Sequence, residues 1–305
     1  SAKPFRDCQG YILSAVSEDG LTFIPEPGIR VAPQPDLPHM SLRVLVPSVT
    51  RLDDGRWRMY FEARGPADRP TIIASAVSLD QLRWELETGE RLQTDGGVGG
   101  PRFLTLPEGG GRMFCFRSEY GTGGPAAGSR MGTTIVSAIT TDGLNFEWEP
   151  SARLRDRESD DDSAGITAAQ ALPPLTPESE WLLFYSAWQN PPPGRQSPTH
   201  PSHDLNAIAS GRSADFAAAS IASDMSGYRS RIFVARSSDG LHWTKGECVI
   251  EGSGYGGAGL DAVHAEDMSL TQIDDARWRM YYAACDARGH WSIASATCAS
   301  ILPRR

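Results

Sequence analysis

Apolar and polar positions along this chain alternate with a period of two over many short stretches. From Arg56 to Phe61, Trp57, Met59 and Phe61 face one way while Arg56, Arg58 and Tyr60 face the other. Such alternation predicts strands, and segments with helical periodicity are almost absent. Residues 47–63, 101–119 and 267–286 each read as a short strand, a polar turn and an aromatic-rich strand, with a looser version over 166–188. Between these hairpins a second phrase recurs: Ser or Thr, any residue, Asp, usually Gly, then Leu, any residue, and Phe or Trp. Its copies begin at Ser17, Ser78, Thr140 and Ser237 and end at Phe23, Trp84, Phe146 and Trp243. Each follows a strand of small residues, at 12–16, 72–77, 135–139 and 232–236. A fifth such strand, 292–297, ends with Cys298 where the Ser would stand. Asp-Gly between apolar runs is a hairpin signal, because glycine accepts the positive φ that tight turns need.

The steps between copies are 61, 62, 97 and 61 residues. Two hairpins per period make a four-stranded sheet of about 60 residues, and radial repetition of such a sheet is a β-propeller. Five periods of 61 residues equal the 305 residues of the chain. The expectation is an all-β, five-bladed β-propeller in one domain, 1–305. The alternative is four blades with ring closure by the N-terminal strands. The long step locates an insertion at about 190–230, rich in Pro and then in Ala and Ser. It reads either as a lid over one end of the propeller or as a surface excursion.

Charge and cysteine content narrow the partners. A net charge of −9 argues against nucleic-acid or anionic-membrane partners. No apolar run reaches 18 residues, and the start lacks a signal-peptide pattern. Five cysteines without metal-ligand spacing suggest free thiols in a reducing compartment, so the expected location is cytoplasmic, although a removed leader remains compatible with it. Oligomeric state is left open.

In a propeller the starts of the inner strands and the ends of the strands that follow share one face, where a funnel forms. Inner-strand starts fall at Val46-Pro47, Gly100-Pro101-Arg102, 167–170 and His264-Ala265-Glu266-Asp267. The following strands end at Glu62, Glu119, Trp188 and Asp286, and loops add His39, Arg43 and Tyr255. The turn phrase and the inner strand followed by an Arg-Met-Tyr-Tyr strand (279–282) resemble the five-bladed propeller glycosidases, families 43, 32 and 130 and their relatives.

That resemblance covers nearly the whole chain and speaks mainly for the fold. It implies acidic residues near inner-strand starts, often as Asp-Pro. Here the Asp survives only in Glu266-Asp267, where Met268 replaces Pro. Val46-Pro47 and Gly100-Pro101 keep the Pro without the Asp. Glycoside cleavage needs one carboxylic acid to protonate the leaving oxygen and a second carboxylate as base or nucleophile. The candidates are Asp267, Glu266, Glu62 and Glu119. In a regular strand Glu266 and Asp267 cannot both face the axis. By the repeat, Glu62 and Glu119 hold similar places in successive blades, where they would either meet a ligand or brace the funnel by pairing with nearby arginines. Candidate substrate-binding residues are Arg43, Arg102, His39, His264, Trp188 and Tyr255.

Three functional readings follow. The first is a glycosidase-like enzyme acting on a glycoside or sugar-like small molecule. The second keeps the scaffold for other, metal-assisted chemistry, with a divalent ion held by Glu266 and two or three of His39, His264 and the insertion residues His200 and His203. The third is a sugar-binding propeller without turnover.

Overall fold

The computed structural model describes residues 10–66, 69–119, 132–190, 193–194, 229–254, 257–274 and 277–298, with the backbone alone at Glu119. Most of the expected insertion, together with Tyr255, His200 and His203, lies outside these residues. The chain divides into two compact units. The first holds the described residues of 10–119 and 136–150; the second holds those of 132–135, 151–194 and 229–298.

The first unit opens with a two-stranded hairpin, β1 (Ala15–Val16) and β2 (Ile24–Pro25). A four-stranded antiparallel meander follows: β3 (Arg43–Arg51), β4 (Trp57–Arg64), β5 (Ile72–Ser78) and β6 (Glu85–Leu86). The second meander contains β7 (Val98–Thr105), β8 (Gly111–Glu119), β9 (Gly132–Thr140) and β10 (Glu147–Trp148). Strand β9 runs from the second unit into the first, and β11 (Leu154–Arg155) pairs with its beginning.

The second unit holds a third meander, β12 (Gly165–Leu172), β13 (Trp181–Gln189), β14 (Arg229–Ser237) and β15 (Thr244–Ile250). It also holds β16 (His264–Gln272), β17 (Trp278–Cys285) and β18 (Trp291–Cys298). Strand β16 touches β14 in parallel at Ser230 and His264. The described residues thus contain four inner strands, β3, β7, β12 and β16, each followed by its aromatic-rich partner. The N-terminal hairpin carries the turn phrase with no inner strand of its own among those residues.

Both faces of these sheets are buried. Met59 and Phe61 enter a core with Val44, Ala63 and Ile72. Tyr60, on the opposite face, enters a second core with Met113, Cys115 and Val136. In the second unit Phe184, Ile232, Val234, Met268, Met280 and Tyr282 form a comparable core. Burial on both faces explains why the polar side of the alternation carries Tyr60 with its hydroxyl bonded to Gly143 O at 2.8 Å.

The recurring turn is built by side chains. Asp19 Oδ1 accepts the amides of Leu21 and Thr22, both at 2.7 Å, while Ser17 Oγ accepts Gly20 N at 2.8 Å. Asp80, Asp142 and Asp239 each accept two amides at 2.8 Å in the same way. These amides, Thr22 first, hold the Asp19 carboxyl down at about 2, and the amides of Asn145 and His242 likewise lower Asp142 and Asp239. The fourth position has positive φ in every copy, 68° at Gly20, 61° at Gln81, 72° at Gly143 and 71° at Gly240. At Gly143 a Cβ would meet Arg58 Nη1 at 2.2 Å, so space as well as φ demands glycine. The strands after the turn are only two residues long in three copies, because the turn, rather than a long ladder, fixes them.

A third repeat emerges from the contacts. Ser75 and Ser137 donate to Glu87 and Glu149, each twelve residues later. Those glutamates bind Arg58 and Arg112 on the neighbouring aromatic strands. Ser14 donates to Glu26 with the same spacing. Four residues beyond Glu26 and Glu87, Arg30 and Arg91 reach the carbonyls of Leu82 and Leu144 in the next turn along the chain.

Candidate active site

Every inner strand is interrupted at the same place. Pairing slips by one residue between Leu45 and Ser48, Gly99 and Arg102, Thr167 and Ala169, and Glu266 and Ser269. The first bulged residue has positive φ in all four: Val46 at 51°, Gly100 at 61°, Ala168 at 41° and Asp267 at 54°. This is the bulge whose first position ordinarily holds glycine, and only Gly100 obeys. An L-residue there carries roughly 1–2 kcal/mol of strain, less for Asp. Of the four, Asp267 alone is ionisable, and it is exposed, whereas Gly100 and Ala168 are buried.

The bulge corrects the expectation for Glu266 and Asp267. Strict alternation stops at this point, so the two carboxylates are not constrained to opposite faces. Glu266 is half-buried beside the exposed Asp267.

Two of the bulges, one in each unit, are tied to the preceding meander. In the first unit Gly100 N donates to Glu62 Oε2 at 2.9 Å. In the second, Asp267 N donates to Ser186 Oγ at 3.0 Å. Glu62 lies opposite Leu45 and Ser186 opposite Thr167, each the residue before its own bulge, so the two occupy equivalent positions. A second tie repeats as well: Phe103 N donates to Ser48 Oγ at 2.9 Å, and Leu270 N to Gln170 Oε1 at 3.0 Å.

Glu62 is 1% exposed and ion-paired with Arg64. Gly99 is glycine for its sake, because a Cβ there would meet Glu62 Oε2 at 2.2 Å. The registers correct the likeness drawn between Glu62 and Glu119. The residue equivalent to Glu62 in the second meander is Phe116, opposite Gly99, and Glu119 stands three residues further along at the end of β8. Arg43 lies directly opposite Arg64. Arg102, half-buried, donates from Nη1 to Pro101 O at 2.9 Å. His39, in a short 3-10 turn, sits 3.4 Å from Glu90.

In the second unit one row of the sheet gathers further candidates. Gly165 lies opposite Trp188, Trp188 opposite Ser230, Ser230 beside His264, and His264 opposite Cys285, which faces Trp291. His264 is buried, stacks on Trp291 at 5.3 Å with planes 6° apart, and shares a 3.0 Å hydrogen bond with Ser230 Oγ through Nδ1. Burial pushes its pKa down to about 4, so the ring is neutral at pH 7. Asp286 spends its carboxylate on the turn before β18, accepting the amides of Arg288 and His290. Sequence reasoning passed over Ser186, Ser230, Arg229, Arg231 and Trp291. The one signal for them was position, each being a polar or aromatic residue near the bulge end of a strand.

Among the described residues no three His, Cys, Asp or Glu side chains gather closely enough to hold a metal ion. The described cysteines, Cys115, Cys248, Cys285 and Cys298, are free thiols. No helix among the described residues is long and apolar enough to cross a membrane.

No protein-family model matches the chain, and no curated protein sequence matches it. Solved structures do. One is a glycoside hydrolase, with a TM-score of 0.63 and 14% identity over 95% of this chain and 80% of that one. Another is the beta-1,2-mannobiose phosphorylase from Listeria innocua in complex with beta-1,2-mannobiose, at 0.61 and 14% over 93% of this chain and 66% of that one. A thermostable family-43 glycoside hydrolase gives 0.59 and 13% over 94% and 82%. The fold is an all-β propeller, similar to that of these solved structures.

Proposed function

We propose that this protein is a glycosidase-like enzyme acting on a glycoside or a related small sugar, with Asp267 as its acid or base. One observation carries the reading: at a bulge repeated in four inner strands, Asp267 alone presents an ionisable, exposed side chain, on a strained backbone held by Ser186. Strained backbone clusters at active sites, where it helps to aim a side chain. The likeness of fold to glycoside hydrolases and a phosphorylase supports the substrate class. The second carboxylate that such chemistry needs comes from Glu266 or Glu119, because Glu62 is held by Arg64 and the Gly100 amide. Trp188 and Tyr255 supply stacking faces for a sugar ring, and His39, His264, Arg43 and Arg102 supply polar contacts. Five blades in one domain remain the proposed architecture.

The test is a panel of aryl glycosides and oligosaccharides, with products followed by NMR, on wild type and Asp267→Asn. Turnover by the wild type that Asp267→Asn lowers by about a thousandfold, at unchanged melting temperature, supports the reading. Full activity in Asp267→Asn overturns it. A second reading, sugar binding without turnover, is favoured by Val46, Gly100 and Ala168, which leave three of the four bulges without a carboxylate. It predicts saturable binding and no product from the same panel.

A further inference from the structure

We propose that Arg229 and Arg231 form a binding site for an anionic group, the carboxylate or phosphate of a small polar ligand. The two residues lie two apart on β14 and so share one face of the strand. Arg231 is 0% exposed and is the largest fully buried side chain among the described residues. Its counterpart in the first meander, by register opposite Ala187 and Ala63, is Ile72, so packing does not require a charge there. Nη1 of Arg231 donates to Ser230 O at 2.6 Å and to Val263 O at 3.1 Å. Nη2 of Arg231 and Nε of Arg229 are buried and have no acceptor among the described residues. A buried cation with unsatisfied donors is costly, and an incoming oxyanion supplies the acceptors.

One carboxylate serves both guanidinium groups. Glu251 Oε1 pairs with Arg229 Nη2 and lies 3.4 Å from Arg231 Nε, with Cys248 Sγ 3.4 Å from Oε2. Two cations therefore share one anion, and that anion is 63% exposed. Glu251 is placed as an internal stand-in that a ligand anion displaces. The site adjoins Ser230 and His264 at the start of β16, two residues from Glu266. It thereby makes the ligand an acidic sugar, an identification that rests on the proposed glycoside reading, whereas anion binding does not.

The experiment titrates inorganic phosphate, glucuronate and glucose by calorimetry at pH 7 and low ionic strength into wild type, Glu251→Ala and Arg229→Ala. The expected result is binding of phosphate or glucuronate and not of glucose. Removing the competing carboxylate in Glu251→Ala tightens anion binding about tenfold, and Arg229→Ala weakens it at least about tenfold. Glucuronate alone marks a carboxylate ligand and phosphate alone a phosphorylated one; either supports the site. If Arg229→Ala does not fold, Arg229→Gln takes its place. A purely structural Glu251 gives weaker binding in Glu251→Ala, and that result overturns the proposal. So does the absence of anion binding in both wild type and Glu251→Ala, or equal binding of glucose. Anion binding without glycoside turnover sinks the enzymatic reading and leaves this one standing, and turnover of neutral glycosides without anion binding does the reverse.

Discussion

The same joint is made twice, once in each unit, with different chemistry. In the first unit a carboxylate, Glu62, accepts the amide of Gly100; in the second a hydroxyl, Ser186, accepts the amide of Asp267. The first joint is buried, charged and closed by Arg64, and its bulge residue has no side chain. The second is neutral and compact, and its bulge residue carries an exposed carboxylate. The contrast shows that a carboxylate near the bulge end of a strand is not thereby a reactive one. Glu62 is committed to a neighbouring backbone and a guanidinium, while the hydroxyl of Ser186 does the same holding beside an exposed Asp267.

The largest expected effect of breaking this contrast comes from the charged joint. Glu62→Ala leaves Arg64 and the Gly100 amide without their acceptor and is expected to destabilise the protein by about 3–5 kcal/mol. Ser186→Ala, which removes only a neutral hydrogen bond, costs about 1–2 kcal/mol. Chemical denaturation of the two variants side by side checks the ranking, and equal losses would erase the distinction.

The neutral row of the second unit has a pH signature. Unfolded, His264 titrates near 6.5; folded, at about 4. Between those values the unfolded chain binds more protons, so His264's contribution is complete above about pH 6.5 and is lost as pH falls toward 4. The loss amounts to about 3 kcal/mol at most. Melting temperatures from pH 7 to pH 4 follow it, and His264→Gln should flatten that slope.

Smaller effects come from the backbone. Asp267→Gly and Val46→Gly relieve positive-φ strain and are expected to stabilise by up to about 1 kcal/mol, whereas Gly100→Ala destabilises by about 1–2 kcal/mol. Thermal melts of the three check the signs. In the turns, Asp142→Ala should lower the melting temperature and Asp142→Asn should largely restore it, because an amide oxygen can still accept the amides of Leu144 and Asn145.

Much of the fold was legible in the residues. The turn phrase announces itself, since Asp and Ser or Thr are the side chains that can fold back on amides one turn away. The period-2 strands were equally plain, although three of the inner strands begin two or three residues before the starts read from the sequence, at Arg43, Val98 and Gly165. The bulges themselves were hidden. Positive φ at Val46 and Ala168 has no signature in those residue types. The equivalence of Glu62 with Ser186 and Phe116 was hidden for the same reason, because register, and not residue type, defines it. Arg231 was hidden in a strand whose pattern looks half-exposed, and only its burial marks it out.

The most direct measurement compares Asp267→Asn with Glu62→Gln in one experiment, recording melting temperature and turnover per folded molecule on the same aryl glycoside. The account predicts that Asp267→Asn keeps its melting temperature and loses turnover, while Glu62→Gln melts earlier and keeps turnover per folded molecule. An Asp267→Asn protein that turns over normally, beside a well-folded Glu62→Gln protein that does not, would contradict it.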